Sequence, residues 1–218
     1  MASVKDVVSR ARTILNDEQL TRWSNDELLG WLNEAYAVLV QAAPSACSVN
    51  QSLSLVAGAK QSLPQGGLRL LDVIRNLHSQ SNLRGISVIS RSDLNAARPN
   101  WYAEEQELSI ENFVFDELDP THFYVYPPAQ EGAEVEAIFL KQPSLHEGDY
   151  ETVKDDLLVV NHSLAPAITD YILFRAFSKD ADHVANANRA ALHANAFSTA
   201  VGTGFQLDLS TSPNSGNS

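Results

Sequence analysis

The sequence predicts an α+β fold: a helical bundle formed by the N- and C-terminal helices, with a small antiparallel β-domain inserted between them. Three observations carry this reading. Apolar residues recur at helical spacing up to Pro44, the period falls to two from about Ser48 to Phe139, and helical spacing returns from Ser163. The corresponding divisions are 1–45 for an N-terminal helical hairpin, 46–145 for the β-rich insertion, 146–202 for a C-terminal helical hairpin and 203–218 for a flexible tail.

Ser3 and Asp6 have the spacing of a capping box, and Val4, Val8, Ala11 and Leu15 form the stripe behind it. In the second helix Ser24 is the N-cap, Glu27 completes a second box, and Trp23 is placed to staple onto Leu28. Leu28, Leu32, Ala35 and Leu39 line one face until Ala43-Pro44 ends the helix. The short polar linker from Asn16 to Arg22 makes the two helices antiparallel neighbours.

Leu53 and Leu55 alternate with Ser52 and Ser54, and Ala57-Gly58 breaks the run before Gln61–Leu63. Leu68–His78 is bounded closely by turn signals at Gln65-Gly66-Gly67 and Asn82–Gly85, which favours a strand over a helix. Ile86, Val88 and Ile89 give a short strand, and Ser92–Ala97 a helical turn. The clearest hairpin joins Phe113–Phe115 to Phe123–Tyr126 across Asp119-Pro120-Thr121, with Pro127-Pro128 stopping it. Val135, Ala137 and Phe139 alternate with Glu134 and Glu136 in a strand with one wet face. Pro143–Asp156 reads as polar loop. Ser163–Phe177 is apolar nearly all round, the pattern of a central helix. The helix after it carries a narrow stripe of Val184, Ala187, Ala190, Ala194, Phe197 and Val201, whose small residues allow close backbone approach. Beyond Gly202 the Ser-, Thr-, Asn- and Gly-rich composition is that of a disordered segment.

Lys plus Arg number 15 against 27 Asp plus Glu, a net charge of −12, in a chain of 218 residues. That balance argues against a protein that grips nucleic acid through its phosphates, though not against one that DNA passes through. One cysteine, Cys47, allows no intrachain disulfide, the first residues lack a secretory signal, and no run approaches the length of a membrane span. The reading is a soluble protein without membrane contact.

A search for chemistry returns a structural protein, not an enzyme, with no catalytic residues, no metal and no cofactor. His146-Glu147 opens like a zincin motif, but Tyr150 stands where the second ligand belongs. His183 beside Asp180 and Asp182 reads as solvated residues at a helix start, where acids suit the dipole. Glu104, Glu105 and Glu107 beside Trp101-Tyr102 read as an acidic loop with one anchoring tryptophan. Asn50-Gln51-Ser52 and Asn161-His162-Ser163 match the glycosylation sequon by chance.

Other residues point to packing or partners. Arg175 within an apolar helix, with Asp170 on the same helix, requires a carboxylate or carbonyl partner, either internal, with Asp182 or Asp72 as candidates, or across a subunit contact. Trp31 adds bulk beyond its stripe, as extra core or as an anchor on a neighbouring subunit. Tyr124 and Tyr126 face opposite Phe123 and Val125, so both faces of the hairpin are covered, by its own domain or by a partner. Phe205, Leu207 and Leu209 alternate with polar residues, as an added β-strand or extended anchor requires. These six residues are the candidate partner interface.

Several segments together resemble the tailed-bacteriophage head-to-tail adaptor, or connector, proteins. Asp170–Asp182 with its alanine-rich following helix resembles their C-terminal region, and Trp23-Ser24-Asn25-Asp26-Glu27-Leu28-Leu29 the opening of their second helix. Leu63-Pro64, Leu70-Leu71-Asp72-Val73 and Arg75-Asn76 resemble their central strand. Phe115–Pro120 and Phe123–Pro128 resemble their main hairpin. The resemblance implies a virion protein at the head-tail interface, assembled in the host cytoplasm. It implies a homo-oligomeric ring, twelvefold in that family, contacting the portal on one side and tail or nozzle proteins on the other, with DNA passing through without tight binding. The rival readings are another phage neck or tail-completion protein, a small cytosolic enzyme with a scattered site, and an acidic binding module.

Overall fold

The computed structural model describes residues 1–77, 83–180 and 184–211, with residue 184 and residues 203–211 described by backbone alone. It is a mixed α+β protein whose chain divides into two compact units, Met1–Cys47 with Pro143–Ser218, and Ser48–Gln142.

The first unit is helical. In α1 (Val4–Leu15) the Asp6 N–H donates to Ser3 Oγ and the Ser3 N–H to the Asp6 carboxylate, satisfying two donors that a helix start leaves over. Asn16 ends the helix in the left-handed region at φ 52°, and Val4, Val7, Val8 and Ala11 bury one face. In α2 (Asn25–Ala42) only half of the expected box forms. Ser24 accepts from the Glu27 N–H, but the Glu27 carboxylate turns instead to Lys179. The Ser24 cap contributes about 1 kcal/mol.

The segment expected to be loop contains a one-turn helix, α4 (Tyr150–Val153), capped by Asp149 and burying Tyr150 and Val153. A single turn is too short for an apolar period to register. Helix α5 (Ala165–Lys179) is central, packing against α1, α2 and the last helix, α6 (Val184–Thr211). Ile168, Ile172, Leu173 and Ala176 of α5 are wholly buried. On α6, Ala190, Phe197 and Val201 are buried and Ala194 half-buried, but Ala187 is exposed, near the end of the hairpin where α5 finishes in exposed Ser178 and Lys179. α6 runs on to Thr211, so the tail expected from residue 203 is helical over 203–211. Residues 212–218 lie outside the described residues.

The second unit holds two sheets. In the first, β1 (Ser48–Ser54) and β3 (Gly67–Asn76) flank β7 (Glu134–Lys141), all antiparallel. In the second, β2 (Gly58–Ser62), β6 (His122–Ala129), β5 (Asn112–Phe115) and β4 (Ser87–Val88) lie in that order, with β4 parallel to β5. Both sheets contribute to one apolar core, including Leu53, Val73, Phe113, Phe123, Val125 and Phe139. Phe139 is 0% exposed, and burial of such a ring contributes about 3 kcal/mol.

The hairpin ladder stops before Pro127-Pro128 as expected, its last pair being Asn112 with Tyr126, but the strand does not. β6 runs through both prolines to Ala129, which pairs with Gly58. The β5 ladder ends at Tyr126, so no proline N–H is missed on that side, and the Pro128 carbonyl accepts from the Glu107 N–H at 2.8 Å. At β3 and β4 the two sheets are tied by backbone bonds from Ile86 N–H to the Ile74 carbonyl (3.0 Å) and from Asn76 N–H to the Arg84 carbonyl (2.9 Å). The far face of the second sheet is covered by α3 (Arg91–Ala97) and a 3-10 turn at Trp101–Ala103, through Leu94 and Trp101.

Candidate interaction surfaces

Trp31 is 7% exposed and belongs to the helical core. Its edge borders a shallow pocket with Glu27, Arg175, Ser178 and Lys179, about 440 Å³ in volume. Arg175 has the carboxylate expected of it, but among the described residues this is neither Asp72 nor Asp170. It reaches Glu34 of α2, while Lys179, one turn on, reaches Glu27. The spacing of four on α5 and seven on α2 puts both pairs on facing sides. Both pairs are partly exposed, so each contributes at most about 1 kcal/mol. Asp170 is held by His193 at 2.8 Å, and Phe177 stacks on the His193 ring. Asp182 and His183 lie outside the described residues.

The hairpin face bearing Tyr124 and Tyr126 is covered within its own unit. Trp101, 0% exposed, lies edge-on to Tyr124 at 6.1 Å, with its indole N–H donating to Asn95. The Tyr126 hydroxyl donates to Glu104 at 3.0 Å, and burial followed by that carboxylate pushes its pKa up. Arg91 stands over the Tyr124 ring and Arg98 over that of Tyr126. Of the acidic loop, Glu104 is thus engaged, while Glu105 and Glu107 are exposed. Phe205, Leu207 and Leu209 stand on the helical backbone of α6, not on an extended strand, and their side chains lie outside the described residues.

Sequence reasoning missed a polar chain in the helical unit that runs from buried Tyr36 and His146 out to exposed Asp156. The Tyr36 hydroxyl lies 3.1 Å from His146 Nε2, and His146 Nδ1 lies 3.5 Å from Asp156. Asn33 donates to the His146 carbonyl and accepts from its N–H. Burial pushes the Tyr36 hydroxyl up to about 12. Together the Tyr36 and Asn33 bonds pin the segment at His146 to α2. Burial likewise pushes the Cys47 thiol up, away from the reactive thiolate. Among the described residues no group of three or more His, Cys, Asp and Glu could hold a metal ion, and no helix is long and apolar enough to cross a membrane.

A second missed feature lies in the β unit. A groove of about 270 Å³ runs between β1 and β2, lined by residues 51–56 and 61–64. Gln61, 3% exposed, shapes its end by accepting from the Val56 N–H and donating to the Val56 and Gly58 carbonyls, each at 2.8 Å.

No curated protein matches the chain. The family model described as SU10 adaptor protein matches residues 2–216, spanning both units. The chain therefore belongs to the SU10 adaptor protein family and is a bacteriophage adaptor protein.

Proposed function

We propose that this protein is a head-to-tail adaptor that closes into a twelvefold ring, joining the portal to tail components and letting DNA pass through its centre. The observation that carries the reading is the family match over residues 2–216, which takes in the helical and β units together. A cyclic ring needs two different, complementary patches on each subunit, and two units with separate cores offer distinct surfaces for them. The charge suits a conduit: at −12, with most Lys and Arg side chains already paired to carboxylates, the subunit has little basic surface to hold phosphates. Phe205, Leu207 and Leu209 are the proposed contact residues toward a neighbouring subunit or the portal.

Electron microscopy of the protein mixed with its portal tests this directly. Closed rings seated on the portal are expected, with subunits alone remaining monomeric or weakly associated because their like charges repel. A monomer that ignores the portal across ionic strengths would remove the adaptor reading.

A further inference from the structure

We infer that the outer edge of β1 is a strand-acceptor site, filled in the assembled state by an extended segment of a second copy of this chain. The inference rests on the proposed assembly and adds the site through which it is made.

The register of β1 shows which backbone groups are open. β1 pairs with β7 from Ser48↔Leu140 to Ser54↔Glu134, and one step further the Leu55 N–H donates to the Ala133 carbonyl at 2.9 Å. In an antiparallel pair, alternate residues exchange hydrogen bonds with the partner. Leu53, Gln51 and Val49 therefore face β7, whereas Asn50, Ser52 and Ser54 direct their N–H and C=O groups away from it. Those three residues are exposed, and their backbone groups find no backbone partner among the described residues.

An open edge is a template for another strand, and natural sheets blunt such edges with lysine, proline, bulges or very short strands. β1 has none of these. Ser-Val-Asn-Gln-Ser-Leu-Ser carries no charge and no proline, and its register against β7 is unbroken. The other outer strands are managed: β2 carries Lys60 and a register shift, β4 is two residues long, and the free side of β3 is met by Arg84–Ile86. The two sheets are tied at β3 and β4 yet separated by the groove between β1 and β2. A strand laid against β1 fills that groove and carries the first sheet toward the second.

Charge identifies the occupant. No residue lining the groove is charged, on a subunit carrying −12. A neutral surface is where two such subunits meet with least repulsion. The backbone groups fix the mode as β-strand addition, in which main-chain bonds supply affinity.

The test is hydrogen exchange followed by mass spectrometry on the full chain, alone across a concentration series and with portal added. Amides of Asn50, Ser52 and Ser54 should exchange fast in the monomer and become protected as subunits associate. Ser52→Pro removes an N–H that faces away from β7, so the β1–β7 ladder stays intact, and Ser52→Lys adds the missing guard. Both variants should keep the wild-type circular dichroism and lose self-association by roughly tenfold or more, equivalent to one or two strand hydrogen bonds. Rings in which the three amides stay unprotected overturn the inference while leaving the adaptor reading intact. Protection on self-association without portal binding does the reverse. Protection that needs portal but no second copy, or no self-association under any condition, also overturns it.

Discussion

The Asn76 side chain and the Ile110 backbone exchange two hydrogen bonds, each 2.8 Å long. Asn76 is wholly buried at the end of β3, and its amide also donates to the Arg84 carbonyl at 2.9 Å. One side-chain amide thus replaces a rung of sheet where no strand is available. Asn76→Ala leaves the buried Ile110 N–H and carbonyl unpaired. The expected cost is about 3 kcal/mol, read as a lower denaturation midpoint with an unchanged slope.

Asp17 plays a similar part between α1 and α2. Burial alone would raise its carboxyl pKa, but the N–H groups of Trp23, Thr21 and Arg22, with the Arg12 guanidinium, outweigh burial and hold it below the ordinary value. A lowered folded-state pKa means the stabilisation is fully present above the ordinary carboxylate pKa and is lost as pH falls through the folded one. Asp17→Asn should be less stable than wild type near neutrality, and the gap should close in acid. A gap that is the same at both pH values would show that this carboxylate's charge does not matter.

Trp101 is the plug over the second face of the hairpin. Trp101→Ala should cost about 3–5 kcal/mol and increase binding of an apolar dye, because Tyr124 and Tyr126 lose their cover. Trp101→Phe should cost less while losing the bond to Asn95.

Duplex DNA should not be retained at micromolar protein near physiological salt in a gel-shift assay. The unpaired basic side chains are few, and the net charge is −12. A retained band would reveal a basic cluster and count against the proposed conduit.

Truncation after Gly202 should leave the helical unit folded, since it keeps Ala190, Phe197 and Val201, the buried positions of α6 among the described side chains. The stability change should stay within roughly 0.5 kcal/mol, whereas ring or portal association should weaken. Equal assembly by the truncated chain would remove Phe205, Leu207 and Leu209 from the proposed contacts.

Local features of this fold were legible in the sequence where chemistry acts over a few residues. Ser3 with Asp6, Ser24, and Ala43-Pro44 mark helix ends through caps and a missing N–H, and the alternation at Val135, Ala137 and Phe139 marks which face of β7 is buried. Alternation identifies a face but not a neighbour, so the placement of β7 between β1 and β3 was invisible. The same limit hid the cover over Tyr124 and Tyr126, which comes from residues some distance earlier in the chain. Arg175 was expected to pair with an aspartate because its helix looked fully buried. At 38% side-chain exposure it instead lies at a margin, within reach of Glu34. The open edge of β1 left a trace only in what the segment lacks, its charges and prolines. The helical backbone at residues 203–211 went unseen because their apolar residues alternate with a period of two.

The pairing of Ser48 with Leu140 brings the entry and exit of the β unit side by side. Seen from the helical unit, everything from Ser48 to Gln142 is closed like a tight turn, with its ends held about 5 Å apart by the insertion's own first and last strands. The cost of closing so long a loop is met inside the insertion and does not fall on the helices. The β unit should therefore behave as an exchangeable cassette. Replacing it with a short Gly-Ser bridge of that span should yield a miniature helical protein, and grafting it between neighbouring ends of an unrelated scaffold should carry the β1 edge with it.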